Sequence, residues 1–151
     1  MKNNFKFFLS LFFLCMVFLS KEAICEELKF ETNVIETFDN DTLVSSGGVK
    51  ITNKLGQIIT GNELQLNNDS KIHVLKGNVF FIDNFKNEIL SEELIINEND
   101  HEYIFNRNVV VKDKINLLTL NSSKLILNQK ENILISNKKA VILDNLNNTI
   151  E

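Results

Sequence analysis

From residue 49 onward, short runs of the chain alternate apolar and polar side chains, as in Val49-Lys50-Ile51 and Leu64-Gln65-Leu66. A period of two places the apolar members on one face of a strand, and helical spacing fits these runs poorly. The runs themselves recur. Val49, Val79 and Val109 open successive units, followed two positions later by Ile51, Phe81 and Val111. Leu64, Leu94 and Leu125 come next, then Leu66, Ile96 and Leu127, with one residue inserted in the third copy. Val74, Ile104 and Ile135 close the units, and a fourth opens at Ala140-Val141-Ile142. Each repeat of about thirty residues is too short to bury its own apolar face and must stack on its neighbours.

Between the runs lie polar stretches: Asn53-Lys54-Leu55-Gly56, Asn67-Asn68-Asp69-Ser70, Asn84-Phe85-Lys86-Asn87, Asn97-Glu98-Asn99-Asp100 and Asn128-Gln129-Lys130-Glu131-Asn132. Asn, Asp and Gly tolerate a left-handed backbone and hydrogen-bond their own turns, so these are hairpin or corner signals. The pattern predicts an all-β fold, a stacked antiparallel jelly roll whose two facing layers enclose an apolar interior. Each end of such a stack exposes a strand edge with unpaired backbone groups, open to the addition of another strand.

The composition fits one domain with a real core: 151 residues, 44% hydrophobic, with neither proline nor tryptophan. At the N-terminus, Lys2 and Lys6 accompany an apolar run from Phe7 to Leu19, shorter than the roughly 20 residues of a membrane helix. Ala23-Ile24-Cys25 supplies a small-x-small cleavage site. Residues 1–25 are therefore expected to be a signal peptide and residues 26–151 an exported jelly-roll domain; if retained, the same segment would hold the domain at a membrane. Both cysteines, Cys15 and Cys25, fall in this segment, so the mature domain would contain no disulfide. Removing Lys2, Lys6, Lys21 and Glu22 from 16 basic and 20 acidic residues leaves 13 and 19. That acidic excess argues against nucleic acid as a partner, because phosphate backbones are held mainly by Lys and Arg.

Candidate chemistry is sparse. His73 and His101 occupy different repeat positions and read as surface histidines, and no metal site can be assembled from them. Asp83, Asp113 and Asp144 share one repeat position, filled by Asn53 in the first unit. A column of carboxylates could bind calcium or serve a glycan-cleaving β-helix. The position directly follows a strand, however, where Asp and Asn are expected as turn formers, and that reading is preferred.

The succession Gly48-Val49-Lys50-Ile51, Gly56-Gln57-Ile58-Ile59, Asn62-Glu63-Leu64-Gln65-Leu66, Val74-Leu75-Lys76-Gly77-Asn78-Val79 and Ser91-Glu92-Glu93-Leu94 resembles the OstA-like repeat of the lipopolysaccharide-transport family. That repeat is shared by LptA-type proteins and the N-terminal periplasmic domain of LptD, and LptC has the same fold. The resemblance runs from Leu28 to the last residue. It implies a "β-taco" of two partly splayed layers whose interior shields the acyl chains of lipid A. It also implies edge-to-edge joining with other jelly-roll proteins of a periplasmic bridge, copies of itself included. No cofactor, metal or catalytic residue is implied. On this reading Val49, Ile51, Leu64, Leu66, Val79, Phe81, Leu94, Ile96, Val109, Val111, Leu125 and Leu127 form the inner face that binds lipid. A membrane-anchored LptC-like protein, a glycan-active β-repeat enzyme and a purely structural repeat protein are the competing expectations.

Overall fold

A computed structural model describes residues 28–37, 42–136, 139–144 and 149–150. The expected signal peptide and both cysteines lie outside these residues. The described residues form eleven strands: β1 (Leu28–Thr37), β2 (Thr42–Asn53), β3 (Ile58–Gly61), β4 (Glu63–Asn67), β5 (Ile72–Ile82), β6 (Glu88–Asn97), β7 (Glu102–Asp113), β8 (Leu118–Asn128), β9 (Ile133–Ile135), β10 (Ala140–Leu143) and β11 (Thr149–Ile150). All pairings are antiparallel. β3 and β4 behave as one long strand interrupted at Asn62, since both pair with β2 on one side and β5 on the other. β9 and β10 likewise share β8 as a neighbour. The chain is thus a meander in which each long strand lies beside the next.

This single sheet is folded in two. Phe105 pairs with Leu94, which pairs with Leu75, so Phe105 lies level with Leu75 and six residues along the strand direction from Phe81. In a flat sheet Phe81 and Phe105 would stand about 20 Å apart, given strand rise and spacing. Their ring centroids are 5.6 Å apart. Phe30 and His73, more widely separated in register, are 6.2 Å apart. The two layers expected from the sequence are therefore the two halves of the same strands. Wall A contains the half-strands next to the turns at 54–56, 84–86 and 114–117. Wall B contains those next to 68–71, 98–101 and 129–132.

The crease has a sequence basis on both sets of strands. β2, β5 and β7 cross it with consecutive residues at positive φ: Gly47-Gly48, Gly77-Asn78 and Arg107-Asn108, thirty residues apart. The antiparallel register slips at these steps in β5 and β7, as at a β-bulge, which bends a strand and adds twist. The intervening strands place a small residue at the inner corner: Gly61, Ser91 and Ser122. A Cβ on Gly61 would lie 2.7 Å from Leu75 Cγ, so the missing side chain makes room for that leucine. Ser91 Oγ donates to the Glu93 carbonyl and Ser122 Oγ to the Lys124 carbonyl, each at 3.0 Å, satisfying backbone acceptors where the ladder is broken. Asn62 N–H donates across the crease to the carbonyls of Lys76 and Gly77, both at 3.0 Å.

The remaining positive-φ residues form two further columns, one in each row of turns. Gly56, Lys86 and Leu117 end the loops of wall A; Lys71, His101 and Asn132 end those of wall B. In wall A the first two loops have three residues, with Asn53 and Asp83 bonded to Gln57 and Asn87 across the turn. The third has four, because Asp113 pairs with Leu118. The inserted residue seen in the sequence therefore lies in this loop, outside the core.

Candidate functional site

The folded sheet encloses one apolar cluster to which both walls contribute. From wall A come Val49, Ile51, Ile59, Val79, Phe81, Ile89, Val109 and Val111; from wall B come Leu64, Leu75, Leu94, Ile96, Tyr103, Phe105 and Leu125. Leu66 and Leu127, together with Leu28, Phe30 and Leu120, are half-buried against it. All twelve residues assigned to the inner face by alternation therefore lie in or against one cluster, while Lys50 and Gln65 between them are exposed. Burying each such side chain stabilises the fold by about 1.5–3 kcal/mol.

Alternation did not identify Ile59, Leu75, Ile89, Tyr103 or Phe105. The closing column Val74, Ile104 and Ile135 has the opposite strand parity: Val74 and Ile104 are half-buried, Ile135 is exposed, and their neighbours Leu75 and Phe105 are fully buried. These half-strands are apolar on both faces, as in Tyr103-Ile104-Phe105, and a run without alternation does not set its own register.

Aromatic contacts hold the walls together. Phe81 of wall A meets Tyr103 and Phe105 of wall B edge to face, with centroids 6.0 and 5.6 Å apart. Nearer the N-terminal end of the stack, Phe30 packs edge-on against His73. His73 corrects the surface reading of the histidines, for it is only 3% exposed and points inward from wall B. The Asn67 backbone N–H donates to Nδ1 at 3.3 Å, so Nε2 carries the proton and donates to Glu98 Oε1 at 2.9 Å. A histidine satisfied at both nitrogens can be buried without an unpaired polar group. His101 is half-buried in the next turn along wall B.

In the carboxylate column Asp83 and Asp113 serve the turns, while the residues after Asp144 lie outside those described. Asp83 Oδ1 accepts from Phe85 and Asn87 N–H at 2.8 Å each, and Oδ2 from Asn87 Nδ2 at 2.9 Å. Asp113 Oδ1 accepts from Ile115 and Asn116 N–H, and Oδ2 from Asn116 Nδ2. The Asn116 backbone N–H, followed by its side chain, holds the Asp113 carboxyl below its usual value. Asn53 takes the same place in the first unit, accepting from Leu55 and Gln57 N–H. Among the described residues, no group of three or more His, Cys, Asp or Glu side chains is arranged to hold a metal ion.

The two ends of the stack differ. At one, among the described residues, β1 pairs with β2 alone, and Val34 and Ile35 are exposed on it. An open recess there, lined by Leu28, Lys29, Phe30, Thr52, Asn53 and Lys54, continues the apolar lining to the surface. At the other, among the described residues, β9 pairs with β8 alone in wall B and exposes Ile133, Leu134 and Ile135, while in wall A the sheet continues through β10 to β11. Interior apolar surface and pairing-competent strand edges thus occur together.

No family model and no curated protein matches the sequence. The fold is similar to that of LptH, the LptA-homologous periplasmic component of the conserved lipopolysaccharide transport device of Pseudomonas aeruginosa. The TM-score is 0.64 at 12% identity, over 76% of this chain and 84% of that one. The protein therefore has the LptA-like β-jelly-roll fold.

Proposed function

We propose that this protein is a non-enzymatic lipopolysaccharide-binding module of a periplasmic bridge to the outer membrane, with the acyl chains of lipid A held between the two walls. The supporting observation is a continuous apolar lining inside a sheet folded in two, ending at open strand edges, in a fold similar to a lipopolysaccharide-transport component. Each methylene transferred from water to such a lining gains about 0.8 kcal/mol. Entry requires the walls to part where Phe81 meets Tyr103 and Phe105. The exchange replaces apolar ring contacts with apolar chain contacts.

The twelve inner-face residues supply the lipid contacts, and the strand edges join the module to other jelly-roll proteins or to its own copies. Residues 1–25 direct export to the periplasm. Transport needs no bond cleavage, and the carboxylates of Asp83 and Asp113 are already occupied in turns. Photo-crosslinking amino acids at Leu66, Phe81 and Ile96 should capture lipopolysaccharide in cells. Capture restricted to the outward positions Lys50 and Gln65 would overturn the proposal.

A further inference from the structure

The two rows of hairpin tips differ in a way that the apolar interior does not explain. In the wall A row, the loops are Lys54-Leu55-Gly56, Asn84-Phe85-Lys86 and Lys114-Ile115-Asn116-Leu117. They carry three lysines, no acid and four large apolar side chains. Leu55, Phe85, Ile115 and Leu117 are 56%, 57%, 67% and 58% exposed. In the wall B row, the loops are Asn68-Asp69-Ser70-Lys71, Glu98-Asn99-Asp100-His101 and Gln129-Lys130-Glu131-Asn132. They carry four acids, two lysines and no large apolar side chain. The 114–117 loop has the four residues and the i+3 cap of the wall B loops, Asp113 taking the place of Asn67, Asn97 and Asn128, yet it carries Ile115 and Leu117, so the geometry of that turn does not require its apolar residues. Leu55, Phe85 and Ile115 recur at one repeat position, and the sequence has Leu146 at the next, outside the described residues.

We propose that the wall A tips are a docking edge for the surface of an anionic lipid bilayer. An apolar side chain at each tip reaches the level of the headgroups, and the lysines extend towards headgroup phosphates. Three features favour this occupant. The basic, acid-free loops complement an anionic surface, and lysine stems lie along apolar surface while their ammonium groups remain in water. Lys114 is already paired with Glu88 at 3.1 Å, so its ammonium meets a headgroup phosphate only by sharing it with that carboxylate. The acids flanking the loops, Asp83 and Asp113, have turned their oxygens inward onto loop N–H groups and Asn side chains. Entry into the interface therefore exposes few unpaired backbone donors to a medium poor in water.

Successive tips lie two strands apart, about 10 Å. Sheet twist rotates them relative to one another, so neighbouring tips engage a flat bilayer best. Phe85 and Ile115 are neighbouring tips, linked by the Lys114 N–H donating to Asn87 Oδ1 at 3.0 Å. This edge is separate from the apolar interior, and either can fail without the other.

The test is co-sedimentation of the purified full chain with vesicles of phosphatidylethanolamine and phosphatidylglycerol at 3:1, beside vesicles of phosphatidylcholine alone. All variants keep the parent N-terminus, so they differ from the parent only at the tips. Phe85→Ser with Ile115→Ser should lower partitioning into the anionic vesicles at least about tenfold. Lys86→Glu with Lys114→Glu should lower it several-fold and abolish the preference for anionic over neutral vesicles. Asp69→Asn with Glu131→Gln, in the opposite row, should leave it unchanged. The altered side chains are exposed, and circular dichroism checks that the fold persists. Parent-like binding by the Phe85/Ile115 variant would overturn the proposal. So would unchanged vesicle binding accompanied by loss of self-association in sedimentation velocity, which would assign the ridge to a second copy of the chain.

Discussion

Lys86 and Leu117 hold a left-handed backbone at the loop position that Gly56 occupies in the first unit, with φ of 70° and 56°. A side chain there costs about 1–2 kcal/mol, partly offset by the entropy a glycine loses on folding. Lys86→Gly and Leu117→Gly are each expected to stabilise the fold by about 0.5–1 kcal/mol, measured as a higher urea midpoint at unchanged slope. Gly77→Ala should act in the opposite direction, by about 1–3 kcal/mol. Its φ is +75°, and a Cβ would lie 2.8 Å from Asn62 Nδ2. Asp113 adds a pH dependence. Its folded-state carboxyl is held below the ordinary 3.8 by the Asn116 backbone and side chain. The stabilisation is complete above that ordinary value and is lost as pH falls through the folded value. Asp113→Asn should therefore reduce the difference in stability between neutral and strongly acid solution, read by denaturation at both pH values. At this scale the sequence revealed the turn role of Asp83 and Asp113, because Asp directly after a strand has a local partner in its own backbone. It did not reveal the burial of His73, whose partners Glu98 and Phe30 are brought to it only by tertiary structure.

The decisive elements are the creased strands. Gly61 opposes Leu75 at the inner corner, and Ser91 and Ser122 take the place of Gly61 in later units. Gly61→Ala should destabilise by about 1–3 kcal/mol through overpacking, and Leu75→Ala by about 2–5 kcal/mol through the cavity it leaves. The double variant should cost less than the sum, because the new methyl enters the space the leucine vacates; a double-mutant cycle measures the coupling. The strands from residue 49 onward, most turn positions and the repeat length were legible from alternation and from Asn, Asp and Gly, whereas the loop Lys114-Ile115-Asn116-Leu117 did not stand out as a polar stretch. The crease was not legible. Gly77-Asn78 and Ser91-Glu92 stood out as repeat markers, but their effect on strand direction depends on backbone angles that composition does not show. Parity was also hidden in Tyr103-Ile104-Phe105, where both faces are apolar.

For the whole molecule, thirty-residue periodicity correctly implied a stack in which no unit buries its own apolar face. The 5.6 Å contact between Phe81 and Phe105, far apart along the flat-sheet register, shows how that face is buried: the meander closes on itself. What lies between the walls during function is the central claim. The chain has no tryptophan, so one introduced side chain reports alone. Leu66 is half-buried against the core and tolerates a larger side chain better than the fully buried positions. The most direct measurement is the emission of Leu66→Trp during titration with lipopolysaccharide and, separately, with the same glycan stripped of its acyl chains, with outward-facing Lys50→Trp in parallel. The account predicts a saturable spectral shift at Leu66→Trp with the acylated molecule only, and none at Lys50→Trp. An equal response to the deacylated glycan, or a response confined to Lys50→Trp, would contradict it.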